Sequence, residues 1–251
     1  MESNRIVDEF RRYFAIVPAH TEARRRQAYH IRYTVYAEEL GWEDKARFPE
    51  GYETDVYDAA SLSCLLQHRE SQQFVGCVRL IIGGEAQTPQ FPFELALSKA
   101  GHPLNPQGFN KDWRASAGEI SRVAVISQFR RRRNEQNYPD SPPDDEPNVT
   151  PERRVFPHIA MGLYLGAAAL GLNHGLQRVF AIMEPRLARR LRTYGIAFEQ
   201  VGEPLEHHGL RIPYCLQRHS FEHSMAPSIR ALLDTILEDL ATGDLKVQHG
   251  Y

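Results

Sequence analysis

A carboxylate interrupts what is otherwise an apolar strand. Glu119 stands in the run from Ala117 to Ile126, beside Ile120, Val123, Ala124, Val125 and Ile126. Pointing inward, it must be paired, hydrogen-bonded or neutralised, and a carboxylate held that way is a candidate general base. Arg122 follows in the same strand, and Arg32 with Trp42, Asp55 with Asp58, and Arg79 also place polar or aromatic groups where a bland core needs none. Each has an ordinary explanation alone: Arg32 as a solvated helix residue, Trp42 as a core anchor, Asp55 and Asp58 as loop solvation, Arg79 and Arg122 as halves of structural ion pairs, Glu119 as a partner for Arg32 or Arg122. As a set, Arg32, Asp55, Asp58, Arg79 and Arg122 could pair with an α-carboxylate and an α-ammonium together, with Tyr36 and Trp42 as pocket walls.

The elements that must position these groups emerge from periodicity. Glu22 to Glu39 reads as one amphipathic helix with Ala28, Ile31, Val35 and Tyr36 on its apolar stripe, ended by Gly41. Glu43 to Ala60 is a charged, turn-rich surface excursion unless a ligand orders it. Ser61 to His68 and Phe74 to Ile82 form an antiparallel hairpin, and Ala117 to Ile126 is a buried central strand. Ser127 to Thr150 combines arginines with prolines and acids, a long mobile insertion or lid. Beyond it come a helix from Val155 to His174, a strand from Arg178 to Met183, a proline-opened helix from Pro185 to Tyr194, strands at Ala197 to Val201 and Leu210 to Gln217, and a last helix from Ala226 to Leu240. Helices packed across both faces of a mixed sheet make this an α+β chain, layered αβα, and one domain over 1–251 is the expectation.

Composition narrows the class further. With 251 residues and a formal charge of −2, the chain does not read as a general nucleic-acid binder. No apolar stretch is long enough to span a bilayer, so a cytoplasmic protein is expected. Cys64, Cys77 and Cys215 are far apart, without metal-ligand spacing, and no metal is expected. His207 and His208 sit in a polar turn and are set aside as exposed. No GxGxxG, Walker loop, HExxH or GxSxG occurs, which removes the usual warrants for dinucleotide, P-loop, zincin and hydrolase chemistry.

The joint spacing of the polar residues carries a resemblance. The segment from His30 to Trp42, the three-residue interval of Asp55 and Asp58, Gly76-Cys-Val-Arg-Leu80 and Glu119-Ile-Ser-Arg-Val-Ala-Val125 are similar to the signature of the acyl-homoserine-lactone autoinducer synthases, with Tyr36 where phenylalanine is usual. The carboxyl half, through Phe129 to Arg133, Pro157-His158 and Gly209-Leu-Arg-Ile-Pro213, resembles instead the N-acyl amino acid synthases and the acyltransferases associated with PEP-CTERM/exosortase systems. Both resemblances imply the GNAT fold, with a mixed sheet splayed at its middle.

They further imply a bacterial N-acyltransferase that moves a long-chain acyl group from the phosphopantetheine thioester of acyl carrier protein to a small amine or amino acid, with no tightly bound cofactor. A lactone synthase using S-adenosylmethionine and a catalytically silent lipid- or carrier-binding module are the alternatives. Ordinary members of the fold hold a pyrophosphate with a glycine-rich loop after the central strand, but here that place reads Ser127-Gln-Phe-Arg-Arg-Arg-Arg133. Arg130, Arg131, Arg132 and Arg133 are therefore candidates for a phosphopantetheine phosphate or an acidic carrier surface. Glu119 would serve as base, a backbone amide near Val123 or Ala124 as oxyanion donor, and Phe156, Ile159, Met161, Leu163 and Leu165 as either an acyl tunnel or plain core.

Overall fold

The order of elements is α1 (Glu2–Tyr13), β1 (Phe14–Pro18), α2 (Glu22–Arg32), β2 (Ser61–His68), β3 (Phe74–Ile82), α3 (Pro92–Lys99), β4 (Ala117–Val125), α4 (Ser127–Arg130), α5 (Phe156–Asn173), β5 (Arg178–Met183), α6 (Pro185–Thr193), β6 (Glu199–Gln200), β7 (Leu205–Glu206), β8 (Leu210–Gln217), α7 (Arg218–Ser224) and α8 (Pro227–Gln248). This is a computed structural model that describes residues 2–84, 90–102, 112–130 and 156–248. The strands join in the order β1-β2-β3-β4-β5-β8-β6, with β7 paired to β8. The arms β1 to β4 are an antiparallel meander, β4 and β5 run parallel, and β5 and β8 are antiparallel again.

Alternation along β3 sorts side chains between two layers. Val78, Leu80 and Ile82 join a core with Phe10 of α1, Ile16 of β1, Leu163 and Leu165 of α5 and Leu232 and Ile236 of α8. On the opposite face Cys77 packs with Ala28, Ile31 and Val35, while Ile81 joins Phe91, Phe93, Trp113 and Phe180. Helix α5 packs closely on α1 and on the sheet where it carries glycine. A side chain at Gly162 would stand 2.5 Å from the Phe10 ring, and one at Gly166 would stand 3.1 Å from Ile16.

The parallel pairing of β4 with β5 is short: it runs from Ala117 opposite Arg178 to Ile120 opposite Ala181. Beyond Ile120, β4 continues to Val125 without β5 at its side. The sheet is thus mixed, splayed at its middle and covered by helices on both faces, a GNAT-like fold.

Several expectations need correction. Periodicity assigns no element before Glu22, yet α1 and β1 are there. In α1 Ile6, Val7, Phe10 and Tyr13 are the apolar and aromatic residues of an otherwise polar sequence, and what holds that helix is packing against α8, including an Arg11–Asp239 contact of 3.6 Å. The strand from Ala197 to Val201 shrinks to Glu199–Gln200. Ser127 to Arg130 is helical rather than loop, and the rest of the expected insertion, 131–150, lies outside the described residues. No helix among the described residues is long and apolar enough to cross a membrane.

Candidate active site in the splayed sheet

Helix α2 opens on a Thr21 side chain that accepts the Arg24 N–H, and at Arg32 it widens into a π-helical turn, Tyr33–Glu39, closed by Leu40 N–H to the Val35 carbonyl at 3.0 Å. Such turns insert a residue and re-aim the side chains beyond it. Here Arg32 points into the protein, 1 % exposed, while Tyr36 reaches β4 and donates to the Val123 carbonyl at 2.9 Å. Gly41, at φ +64°, reverses the chain so that the Trp42 N–H meets the Tyr36 carbonyl at 2.7 Å.

The excursion expected over Glu43 to Ala60 is exposed over much of its length, including Asp44 to Arg47 and Val56, but its acids Glu53, Asp55 and Asp58 turn inward into ion pairs. Arg32 binds Glu53 through Nε and Asp58 through both terminal nitrogens, at 2.6 and 3.1 Å. Arg79, also 1 % exposed, makes the same bidentate contact to Asp55 at 2.5 and 3.0 Å, reaches Asp58 at 2.9 Å, and donates to the Ser121 hydroxyl at 3.0 Å. Arg122 contacts Glu53 at 3.1 Å, and Glu43 and Asp55 at 3.4 Å. Burial pushes the carboxyls of Glu53, Asp55 and Asp58 upward, but the adjacent guanidinium groups outweigh it and hold all three below the ordinary range. Arg47 also pairs with Glu43, at 3.0 Å, so four arginines meet four carboxylates in this network.

Strand β4 reaches this cluster with a bulge. Arg79 lies opposite Ser121 and Cys77 opposite Ala124, so Arg122 and Val123 together face the single residue Val78. Arg122 takes φ +51°, a left-handed backbone that costs a non-glycine residue about 1–3 kcal/mol and persists only where the surroundings enforce it. Its three carboxylate contacts supply that enforcement. The bulge falls where β4 leaves β5, and there a cavity of about 260 Å³ opens. Glu119, Ser121, Arg122, Val123, Tyr36, Trp42, Glu43, Tyr164, Ile182, His207, His208 and Arg211 are among its lining residues.

Glu119 is buried, 2 % exposed, and accepts the Phe93 N–H at 3.1 Å, the hydrogen bond it makes among the described residues. It is set apart from the ion-pair cluster. Burial raises its carboxyl to about 8, against the opposing pull of the Phe93 amide and the Arg79 guanidinium. Near neutral pH such a group takes up and gives back a proton readily, the property wanted in an acid–base residue.

The opposite wall was missed. His207 and His208, set aside as too exposed to be metal ligands, are exposed in the structure, and both nonetheless border the cavity, because the tight turn from β7 to β8 folds over it with His208 at φ +52°. The His208 ring stacks on Trp42 at 4.4 Å and 6°, and Trp42 stacks in turn toward Tyr36 at 6.0 Å. Burial lowers the affinity of both imidazoles for protons, aided for His207 by His208 and Arg211, so both are neutral at pH 7. Arg211 pairs with Glu184 at 3.2 Å. Glu53 also escaped the sequence reading, since nothing in its polar surroundings distinguishes it from Glu50. The signal available was its place in Glu53-Thr-Asp55, two residues before an acid already singled out.

Of the residues named from sequence, Glu119, Arg122, Val123, Tyr36 and Trp42 border the cavity, while Arg32, Asp55, Asp58 and Arg79 form the charged layer behind Arg122. Ala124 is fully buried against α2. Ile159, Met161, Leu163 and Leu165 are packed core rather than a tunnel wall, and the Phe156 side chain is outside the described residues. The Arg130 side chain and Arg131, Arg132 and Arg133 also lie outside them. At the start of α4 the Ser127 N–H is taken by the Glu39 carboxylate at 2.9 Å. Among the described residues no cluster of three His, Cys, Asp or Glu could hold a metal.

Residues 31–138 match the family described as Acetyltransferase (GNAT) domain. No curated protein matches the chain. Among solved structures, a CoA-dependent acyl-homoserine lactone synthase, BjaI, with SAM and isopentyl-CoA superposes with a TM-score of 0.52 at 20% identity, over 93% of this chain and 99% of that one. FeeM, an N-acyl amino acid synthase from uncultured soil microbes, gives 0.52 at 14% identity, over 84% and 94%. TofI, in a ternary complex with an inhibitor and MTA, gives 0.53 at 17% identity, over 86% and 99%.

Proposed function

We propose that this GNAT-fold chain is an N-acyltransferase, moving an acyl group from the phosphopantetheine thioester of acyl carrier protein to the amine of an amino acid or related small amine. The observation that carries the reading is Glu119: a carboxyl at the protonation midpoint of mildly alkaline water, bordering a cavity where the sheet splits and β4 bulges. A structural carboxylate would be paired with the buried arginines 32 or 79, but those are already satisfied by Glu53, Asp55 and Asp58.

In the proposed reaction the amine nitrogen attacks the thioester carbonyl, forming the C–N bond. Glu119, directly or through one water, takes the nitrogen's proton. The tetrahedral oxyanion is met by a backbone amide at the bulge, at Val123, where β4 no longer has β5 beside it. The C–S bond then breaks and the pantetheine sulfur leaves as thiol after taking a proton. Arg122 supports an acceptor carboxylate and Glu43 an acceptor ammonium, while Trp42, Tyr36, His207 and His208 wall the acceptor.

Carrier protein is favoured as donor over a pyrophosphate-bearing cofactor by the loop after β4. It lacks the glycines of an anion nest, and its first helical amide, Ser127, is held by the Glu39 carboxylate, which repels a second anion. The arginine run 130–133 belongs to this same proposal. An open N-acyl amino acid and a lactone formed on S-adenosylmethionine, whose synthases share the fold, both suit this site, so both products are assayed together.

The test incubates the purified protein with acylated carrier protein, the corresponding acyl-CoA, an amino-acid pool and S-adenosylmethionine, with mass spectrometry of products. An N-acyl amino acid supports the reading and names the acceptor. An acyl lactone with methylthioadenosine moves the protein to the lactone synthases. Absence of either product, with intact thioesters, leaves a binding module.

A further inference from the structure

The cavity is bordered by residues from both faces of the sheet, and among the described residues its inner end meets α5. Glu119, Ser121 and Ile182 border it on the α2–α3 side, whereas Ile120, Val123 and Ala181 border it on the α5 side, where they belong to the main core. Tyr164 of α5, 6 % exposed, is the helix residue it meets there. Past Tyr164 the described residues are closely packed between helix and sheet: Leu163, Leu165, Ala167 and Ala169 are all fully buried, and Gly162 and Gly166 let α5 contact Phe10 and Ile16. A chain entering from the reacting carbon therefore runs into the tyrosine ring.

We propose that the acyl group is short, about four to six carbons, and that Tyr164 sets this limit. The inference rests on the transferase reading and specifies its donor, in place of the long chain expected from sequence. A dry cavity of about 150 Å³ holds a six-carbon ring, so one of about 260 Å³ takes roughly ten heavy atoms. The amine, α-carbon and carboxylate of an amino acid fill roughly half, leaving room for a short chain only. Lengthening the acyl group past the ring forces it into a close-packed interior, which costs about tenfold or more in specificity per methylene.

The experiment uses the full chain and a series of butyryl, hexanoyl, decanoyl and tetradecanoyl thioesters on carrier protein and on pantetheine. Binding is read by calorimetry and transfer by mass spectrometry. Wild type is expected to bind and use butyryl and hexanoyl donors at least tenfold better than decanoyl. Tyr164→Ala is expected to raise the decanoyl-to-hexanoyl ratio at least tenfold, and Tyr164→Phe, which keeps the ring, to leave it within twofold. Tyr164→Leu replaces the alanine variant if circular dichroism shows the latter unfolded. Tetradecanoyl donors bound as well as hexanoyl by wild type overturn the proposal, as does a folded Tyr164→Ala with an unchanged ratio. Short donors that bind without forming any acyl amine leave the acyl pocket standing and sink the transferase reading. Long N-acyl products do the reverse, and failure of every thioester to bind removes both.

Discussion

Replacing Glu119 by glutamine is expected to make the protein less active and more stable, with both effects depending on pH. Glutamine keeps an oxygen for the Phe93 N–H and resembles the protonated acid, the form that burial favours. The folded-state value of about 8 lies above the ordinary 4.5, so the folded chain holds a proton that the unfolded chain releases. Wild-type stability therefore falls, relative to the variant, as pH rises from 4.5 toward 8. At about 1.36 kcal/mol per pH unit the difference is under about 1 kcal/mol at pH 5 and about 3 kcal/mol at pH 7, some 6–12 °C in Tm for a chain of this size. Thermal melts of both proteins at pH 5, 6, 7 and 8 read this directly. The same variant should lose about 10²- to 10⁴-fold in kcat, together with the limb of the wild-type pH profile that rises through about pH 8, while the limb from the acceptor's own ammonium stays. Melting curves that shift in parallel across this range would refute the claim that Glu119 is a buried, reluctantly ionised group; unaltered turnover would remove it from the chemistry.

The ion-pair cluster predicts the opposite pH dependence. Glu53, Asp55 and Asp58 are held below their ordinary values, so their contribution is complete above about pH 4–5 and is lost as pH falls through the lowered values, which an acid titration of the fold should show as a step that Asp58→Asn weakens. Arg79→Met, and likewise Arg32→Met, strands buried carboxylates and should cost about 3–5 kcal/mol in urea denaturation; a loss under about 1 kcal/mol would show the cluster to be dispensable. Tyr36→Phe removes one buried hydrogen bond to the Val123 carbonyl and should cost about 1 kcal/mol, with no change in donor binding. Trp42→Leu removes the stack with His208 and should raise the acceptor KM about tenfold while kcat moves less than about threefold; the reverse pattern would place Trp42 in the chemical step.

The sheet was legible where short apolar runs end in turn residues, as in Phe74 to Ile82, and Glu119 drew attention because a carboxylate interrupts such a run. Two kinds of feature were not. Helix α1 and strand β1 depend on partners far along the chain, α8 and β2, and their local pattern is weak. The His207–His208 wall depends on a turn whose left-handed residue is a histidine; the turn is exposed, as composition suggested, but nothing local shows that it borders a cavity. The excursion over Glu43 to Ala60 shows the same limit from the other side. Its acids read as solvated because a sequence cannot show that Arg32 and Arg79, distant in the chain, arrive beneath them.

The brevity of the β4–β5 junction also bears on how the molecule assembles. Within the meander only β2 and β3 are hairpin neighbours, β1 reaching β2 and β3 reaching β4 across intervening helices, but Ala117 to Ile120 must find Arg178 to Ala181 across a longer span than these, from 120 to 178, for a shorter pairing. Loop closure of that span is slow, and few pairs reward it, so this seam is expected to form late, after the meander has its core. The cleft exists only once the seam is made. Appearance of cleft properties during refolding, such as the altered near-ultraviolet signal of the stacked Trp42, should therefore lag behind the formation of strand structure, reporting the closing step of folding rather than its beginning.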